Sequence, residues 1–387
     1  MKQVTLSDRF EPMSPVATDI LEKCTNCGIC QVQCVFLTRY GTPKEILTGL
    51  SPAKQHSIAF ECSLCGLCQT VCPENLDPVE AFLNLRSDAV NNNLIDLSKY
   101  STILGYEKKG TSALFSCYAL PQGCDTIFFP GCTLPGTRPK TTWRLFETLK
   151  ALKPNLGIVL DCCTKPSHDL GRETYFQSMF GEMLNFLQTH RIKRIWLACP
   201  NCYKVFKTYA PQMSIETVYE VIDSTGLPHR FADGSRPFED TPLVVHDPCP
   251  MRDDALVQDS VRSLLTGMNL SIGKMAFEKK KTLCCGEGGA VGFIDPELAG
   301  TWTQKRKKSA GRRPIVTYCA GCAGFLNRTT TTFHILDLLF FPDKTAAGRF
   351  KAAKAPFTYF YRLSLKRKIK KNLPGAVFRE RNYRPTE

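Results

Sequence analysis

With 387 residues, 43% of them hydrophobic and 22% charged, the chain has material for two or three domains at about 100–200 residues each, and this composition excludes a disordered or fibrous protein. Its twenty cysteines, about 5% of the residues, fall short of the density of a disulfide-stapled miniprotein, and a chain of this size needs no staples, so ligands are expected and not bridges. The formal charge of +14 would suit nucleic acid if the cations lined one groove. Metal-bound cysteines are thiolates, however, and two four-thiolate clusters would each remove about two charges. The remaining excess lies in runs 278–282, 304–313 and 365–371, which read as solvated faces, so no nucleic-acid partner is expected.

The opening MKQVTLSDRFEPMSP has no apolar signal-peptide core, and no run approaches the roughly 18 apolar residues of a membrane span, HILDLLFF being among the longest candidates. A cytoplasmic protein is expected, reaching a membrane only peripherally or through a partner.

The first two cysteine groups share one form: Cys24-x2-Cys27-x2-Cys30-x3-Cys34, then Cys62-x2-Cys65-x2-Cys68-x3-Cys72-Pro73. Three thiolates at three-residue steps wrap the corners of a cubane, and in the bacterial two-cluster pattern the fourth cysteine crosses to the other cluster. On that rule Cys24, Cys27, Cys30 and Cys72 hold one [4Fe–4S] cubane, and Cys62, Cys65, Cys68 and Cys34 hold a second. Zinc would instead call for paired knuckles giving four ligands to one ion. The 27 residues between the groups and the helix-like DPVEAFLNLRSDAV after them predict a helical ferredoxin domain over 15–97. Residues 98–124 read as a linker with some helix.

The remaining cysteines repeat. Cys132, Cys162-Cys163 and Cys199-x2-Cys202 recur as Cys249, Cys284-Cys285 and Cys319-x2-Cys322, at offsets of 117, 122 and 120 residues for the first cysteine of each group. Duplication explains the register. β-prone runs lead into the cysteines (DTIFFP, GIVLD, RIWLA, PLVVHDP, PIVTY) and helix-patterned segments such as KTTWRLFETLKAL lie between them. The prediction is two α/β, Rossmann-like domains over 125–240 and 241–345, with the cysteines converging at the carboxyl ends of the strands. Burial as plain core residues does not account for paired and Cys-x2-Cys thiols in duplicate. The whole is thus an α+β multidomain chain with a basic tail over 346–387.

FFPGCTLPG, CCTKPSHDLG, ACPNC, HDPCPMRDD, CCGEGGAVG and YCAGC resemble the duplicated cysteine-rich "CCG" domains of the catalytic subunit of heterodisulfide reductase. With the fused ferredoxin domain the chain is also similar to the iron–sulfur subunits of anaerobic glycerol-3-phosphate dehydrogenase and glycolate oxidase. The resemblance covers roughly residues 20 to 340. It implies a noncubane [4Fe–4S] cluster in each domain, on Cys132, Cys162, Cys163, Cys199 and Cys202 and on Cys249, Cys284, Cys285, Cys319 and Cys322. The second pair is followed by Gly286, as the motif asks, but the first by Thr164. The second set is therefore the expected catalytic site, the first serves electron transfer if it binds metal, and one or two noncubane clusters are expected. Cys117 and Cys124 stay unassigned.

The resemblance implies an electron-transfer oxidoreductase subunit. Electrons from a flavoprotein, cytochrome or quinone-linked partner subunit would cross the cubanes and reduce a disulfide or another small redox substrate. The alternative is a conduit between a flavoprotein dehydrogenase and the quinone pool, and a colourless zinc or redox-sensing protein is the third reading. No Gly-x-Gly-x-x-Gly follows a predicted strand, so flavin or nicotinamide would belong to a partner. His246, His168 and Glu287 lie near the cysteines, where protons could be delivered or a potential tuned, although a structural role serves each as well. Asp247, Arg252 and Asp253 read as a cap and first-turn charges for the next helix. The basic segment FTYFYRLSLKRKIKK permits peripheral contact with anionic lipid.

Overall fold

The computed structural model describes residues 14–226 and 237–385. Ser14, Thr42, Ser51 and Asp77 each precede a proline and each caps the helix it opens: Pro15–Lys23, Pro43–Gly49, Pro52–Ala59 and Pro78–Asn91. The side-chain oxygen takes a free N–H of the first turn, and the fixed φ of proline suits the first helical position. Two shorter helices, Val35–Tyr40 and Leu67–Val71, lie between them. Most of these helices are too short to stand alone in water and depend on packing. Phe36, Ile46, Ile58, Leu67 and Phe82 share a core cluster with Leu283, Val291, Leu298 and Trp302, so the helical region packs directly on the C-terminal half of the chain.

That half and the segment before it build two sheets. The strands are β1 (Cys117–Leu120), β2 (Thr126–Phe129), β3 (Gly157–Leu160), β4 (Arg194–Leu197), β5 (Ser214–Thr217), β6 (Leu243–His246), β7 (Ile272–Gly273), β8 (Ile315–Thr317), β9 (Thr332–His334) and β10 (Val377–Arg379). The sheet orders are β10-β1-β3-β2-β4-β5 and β7-β6-β8-β9. Within them β3-β2-β4-β5 and β7-β6-β8-β9 are all parallel and identically connected. The duplication read from the cysteines is thus a duplication of topology. Strands such as TIFF, GIVL and LVVH are buried throughout, as strands covered on both faces require. In each repeat the chain leaves the first strand in one direction and later crosses to its other side, which makes the switch point where α/β sheets bind ligands.

The segments expected as linker and tail are both built into the first sheet. After a helix at Ser101–Gly110, β1 pairs antiparallel with β3 and with β10. Arg381 beyond β10 is fully buried, 3.2 Å from Asp161, whose carboxylate also accepts the hydroxyl of Tyr118 at 2.5 Å. Nor are the basic runs wholly solvated. Arg306 is buried and donates to the carbonyl of Phe277 at 2.7 Å, and Lys366 donates to that of Ala113 at 2.6 Å. The repeats meet through the hydroxyl of Tyr219, 3.1 Å from the carbonyl of Ala198 and 2.9 Å from that of Tyr318, and through the buried Arg138–Asp337 ion pair at 2.6 Å. Among the described residues no helix is long and apolar enough to cross a membrane.

Candidate functional site

In the helical region cysteines sit where short helices stop or start. Cys24 and Cys72 end helices and Cys34 opens one, so their side chains face the loops carrying the other thiols. Burial and then the neighbours Cys24, Cys27 and Cys72 push the Cys30 thiol up to about 11. Burial and then Cys62, Cys65, Cys34 and Cys30 hold Cys68 well above the usual thiol range. The structure therefore gathers Cys24, Cys27, Cys30 and Cys72 in one group and Cys34, Cys62, Cys65 and Cys68 in another, side by side. In the second group burial raises all four thiols, which suits an iron cluster, because thiolates buried there are unfavourable without one. The first group reaches the surface, with Cys27 exposed, whereas Cys34, Cys62 and Cys68 of the second are buried.

At the repeats the sulfurs form two chains of the same order. In the first, Cys132 contacts Cys162, Cys162 contacts Cys163, Cys163 lies 3.3 Å from Cys202, and Cys202 contacts Cys199. The second runs Cys249, Cys284, Cys285, Cys322, Cys319. Each chain has one thiol favoured as thiolate. Contacts from Cys162 and Cys202 lower Cys163 to about 6, and contacts from Cys249 and Cys285 hold Cys284 well below the usual thiol range. A five-sulfur set with one ready thiolate fits an iron–sulfur cluster, whose ligands must be deprotonated.

Thr164 occupies a left-handed conformation, φ 55° and ψ 23°, with its buried hydroxyl unpartnered. Its counterpart Gly286 has φ 102°, its N–H lies 3.3 Å from the Cys284 sulfur, and a Cβ there would meet the carbonyl of Ala299 at 2.5 Å. The first repeat tolerates a side chain at this turn and the second does not.

Both sulfur chains open onto one cavity of about 450 Å³, whose lining includes Cys132, Cys163, Cys249, Cys285, Lys165 and Glu287. Lys165 stands between the repeats, 2.5 Å from Asp169. Burial opposes its charge, but Asp169, Cys249 and Cys163 hold its pKa above the usual value. Burial and then Cys284 push the Glu287 carboxyl up to about 7, and it lies with Cys319 and Cys322 within one 4.8 Å group. Gly321 makes room for it, since a Cβ there would fall 2.0 Å from its Oε2.

His168, by contrast, is held away from the cavity by Tyr209 at 2.9 Å and Asp169 at 3.1 Å. His246 is fully buried, and neither ring nitrogen has a partner. Cys117 lies in β1 opposite Leu160, at the carboxyl end of β3, whereas Cys124 donates to the carbonyl of Thr126 at 3.2 Å beside the start of β3, at the opposite end of the sheet from the sulfur chains.

Asp247 and Arg252 are not the helix-capping charges the sequence suggested. Asp247 pairs with Arg262 at 2.9 Å and accepts the N–H of Lys279 at 2.7 Å. Arg252 crosses to the helical region, donating to the carbonyl of Cys65 at 3.0 Å. The role of Arg86 was missed. It is buried in Pro78–Asn91 and donates to the carbonyls of Cys62 at 2.5 Å, Asp169 at 2.5 Å and Gly289 at 3.0 Å, tying the helical region to both repeats. A lone arginine on an amphipathic helix carries no signal of this. Gly288 and Gly289 let the second repeat's loop lie on the carbonyls of Ser63 and Cys62, where a Cβ would fall 2.4 and 2.3 Å away. The second group of the helical region therefore adjoins the second sulfur chain, with Cys284 raising the Cys65 thiol after burial.

Residues 20–76 match the 4Fe-4S dicluster domain family, and residues 126–207 and 243–327 each match the cysteine-rich domain family. The chain joins a 4Fe-4S dicluster domain to two cysteine-rich domains. Two curated relatives are similar. One is a subunit of the dihydromethanophenazine:CoB--CoM heterodisulfide reductase of Methanosarcina barkeri, 22% identical over 272 residues, 64% of this chain and 66% of that protein. The other, the "EtfAB:quinone oxidoreductase" of Syntrophomonas wolfei, is 27% identical over 146 residues, 37% of this chain and 20% of that protein. The chain thus spans a fifth of one relative's length and just under two thirds of the other's. Among solved structures, Picrophilus torridus aspartate racemase overlaps 62% of this chain and 99% of its own at 12% identity and a TM-score of 0.26, below the level of a shared fold. The dicluster and cysteine-rich domains indicate [4Fe–4S] clusters and an iron–sulfur protein of the oxidoreductase type.

Proposed function

We propose that the chain is an electron-transfer subunit with a dicluster domain within 15–97 and cysteine-rich domains within 125–240 and 241–345. Electrons enter at the group of Cys24, Cys27, Cys30 and Cys72, pass to that of Cys34, Cys62, Cys65 and Cys68, and leave through the second cysteine-rich site. The observation that carries this route is the closeness of Cys62 and Cys65 to Cys284, whose charge raises both thiols and which shares a core cluster with Cys62, against an exposed Cys27 at the other end where a partner subunit can approach. Clusters held by these thiols would supply electrons one at a time.

The end reaction we assign is reduction of a disulfide: two electrons and two protons break one S–S bond and give two thiols. Both sulfur chains line the cavity between the repeats, so a small disulfide that reached it would lie against the clusters they hold. Lys165 stands where a product thiolate would be stabilised, and the Glu287 carboxyl offers a proton site beside Cys319 and Cys322. Cys249, Cys284, Cys285, Cys319 and Cys322 form the catalytic set. A second reading, favoured by the quinone oxidoreductase relative, is a conduit between a flavoprotein and quinone.

Protein purified without oxygen tests the proposal. About sixteen irons and matching sulfide per chain are expected from four four-iron clusters, together with disulfide reduction driven by a reduced viologen. Full iron without disulfide reduction, but with electron exchange to a flavin partner, favours the conduit. Zinc without sulfide overturns both.

A further inference from the structure

The two sulfur chains rest on different floors. In the first repeat the residue three before the leading cysteine is Phe129, paired across the parallel strands β2 and β4 with Leu197. In the second the equivalent residues are His246 and Thr317, paired across β6 and β8. Phe129 and Leu197 are ordinary buried core residues. His246 and Thr317 are both fully buried, and both imidazole nitrogens and the threonine hydroxyl lack any hydrogen-bond partner. Three adjacent polar atoms left so in a native interior call for a ligand, because buried donors are otherwise satisfied. The histidine is also placed for one: a ring nitrogen and the sulfurs of Cys285 and Cys322 all lie within 4.8 Å of one another.

We infer that His246 and Thr317 donate hydrogen bonds to sulfur of the cluster held at the second cysteine-rich site, contacts that the first site, floored by Phe129 and Leu197, does not have. A donor to cluster sulfur favours the more negative, reduced state, and such bonds are among the levers that set the potential of an iron–sulfur centre. With His246 and Thr317 both donating, against the single unpartnered hydroxyl of Thr164 beside the first site, the second site's cluster is the more easily reduced of the two, and electrons arriving through Cys62 and Cys65 stay there instead of moving on to the first site. His246 and Thr317 are tuning residues, touching neither the cavity nor a substrate within it.

The inference rests on the second site holding an iron–sulfur cluster, so iron and sulfide are measured on every sample and an empty site is told apart from an indifferent histidine. The double variant H246F/T317L, which carries the first repeat's residues, is compared with H246Q, which keeps a donor, by anaerobic redox titration followed by electron paramagnetic resonance. The expected result is unchanged iron, one cluster whose potential falls by a tenfold change in its reduction equilibrium or more, about 59 mV for one electron, the others unmoved, and a smaller shift in H246Q. Unchanged potentials in the double variant overturn the inference. So does loss of about four irons from both variants, which would make the histidine a ligand or a structural support. If only the double variant loses iron, T317V decides: the same cluster must shift down, and no shift overturns the inference.

Discussion

The guanidinium of Arg252 holds the carbonyl of Cys65 at 3.0 Å while also donating to the carbonyls of Thr282 at 2.8 Å and Lys280. One side chain from the second cysteine-rich domain thus fixes a cysteine loop of the dicluster domain against the segment that leads to Cys284 and Cys285. Charge-assisted bonds of this kind contribute about 1.5–3 kcal/mol each, and the three carbonyls lose their shared donor together in R252L. The expected outcome is destabilisation by about 4.5 kcal/mol or more if the three bonds add, seen in urea unfolding, with slower reduction of the second site by a reduced donor in stopped-flow measurements. Wild-type kinetics and stability in R252L would detach the electron route from this contact.

Thr164 and Gly286 separate the two repeats at one turn. A left-handed residue with a Cβ costs about 1–2 kcal/mol, but glycine loses about 0.5–1 kcal/mol of conformational freedom on folding. T164G should therefore shift stability by less than about 1 kcal/mol and keep every cluster. In G286T the new Cβ would meet the carbonyl of Ala299 at 2.5 Å and the hydroxyl of Thr303 at 2.8 Å. Overpacking of this degree costs about 1–3 kcal/mol, and the chain should lose the second site's iron. Iron analysis with thermal unfolding checks the pair, and retention of all iron in G286T would show that the loop can give way.

The sequence made the site more legible than its surroundings. Cysteine spacing marked the two runs of the dicluster domain and the repeat behind the sulfur chains, while the five-cysteine sets came from the family resemblance; thiols in one set lie up to about 70 residues apart, so only the fold brings them together. The five β-prone runs that end at cysteines are β2, β3, β4, β6 and β8, whose continuous apolar stretches carry their own signal. β1 and β10 were hidden in segments that looked like linker and tail, since antiparallel edge strands of three or four residues are chosen by the sheet they join and not by local propensity. Arg86, Arg252 and Lys165 were illegible for a related reason. Arg86 and Arg252 reach backbone carbonyls far along the chain, and Lys165, paired with its near neighbour Asp169, also lies near Cys249 of the other repeat; periodicity says nothing about such contacts.

Glu287 is set beside the second sulfur chain by Gly321, which leaves space for its carboxyl. If the proposed disulfide reduction takes its proton from this carboxyl, E287Q should slow it by about 10²-fold or more, the usual scale for a lost general acid. Iron content should stay as in wild type. G321A should act in the same direction by displacing the carboxyl. Single-turnover reduction of a disulfide by pre-reduced protein checks this, and an unchanged rate in E287Q would assign the protons to water.

Glu107 is buried beneath the first cysteine-rich domain, accepting the N–H of Ser167 at 2.9 Å and its hydroxyl at 2.5 Å. Burial raises its pKa from 4.5 to about 7, against the pull of Ser167. Because the folded state keeps this proton and the unfolded chain releases it near 4.5, the folded form binds more protons between those values. Stability must then fall as pH rises from about 4.5 to about 7 and level off above. E107Q keeps a carbonyl to accept from Ser167 and carries no proton to lose. Its stability relative to wild type should rise across that window and stay constant above it. Thermal unfolding of both proteins at matched cluster content, from pH 5 to pH 8, measures the difference, and parallel curves would show that Glu107 is ionised in the folded protein throughout.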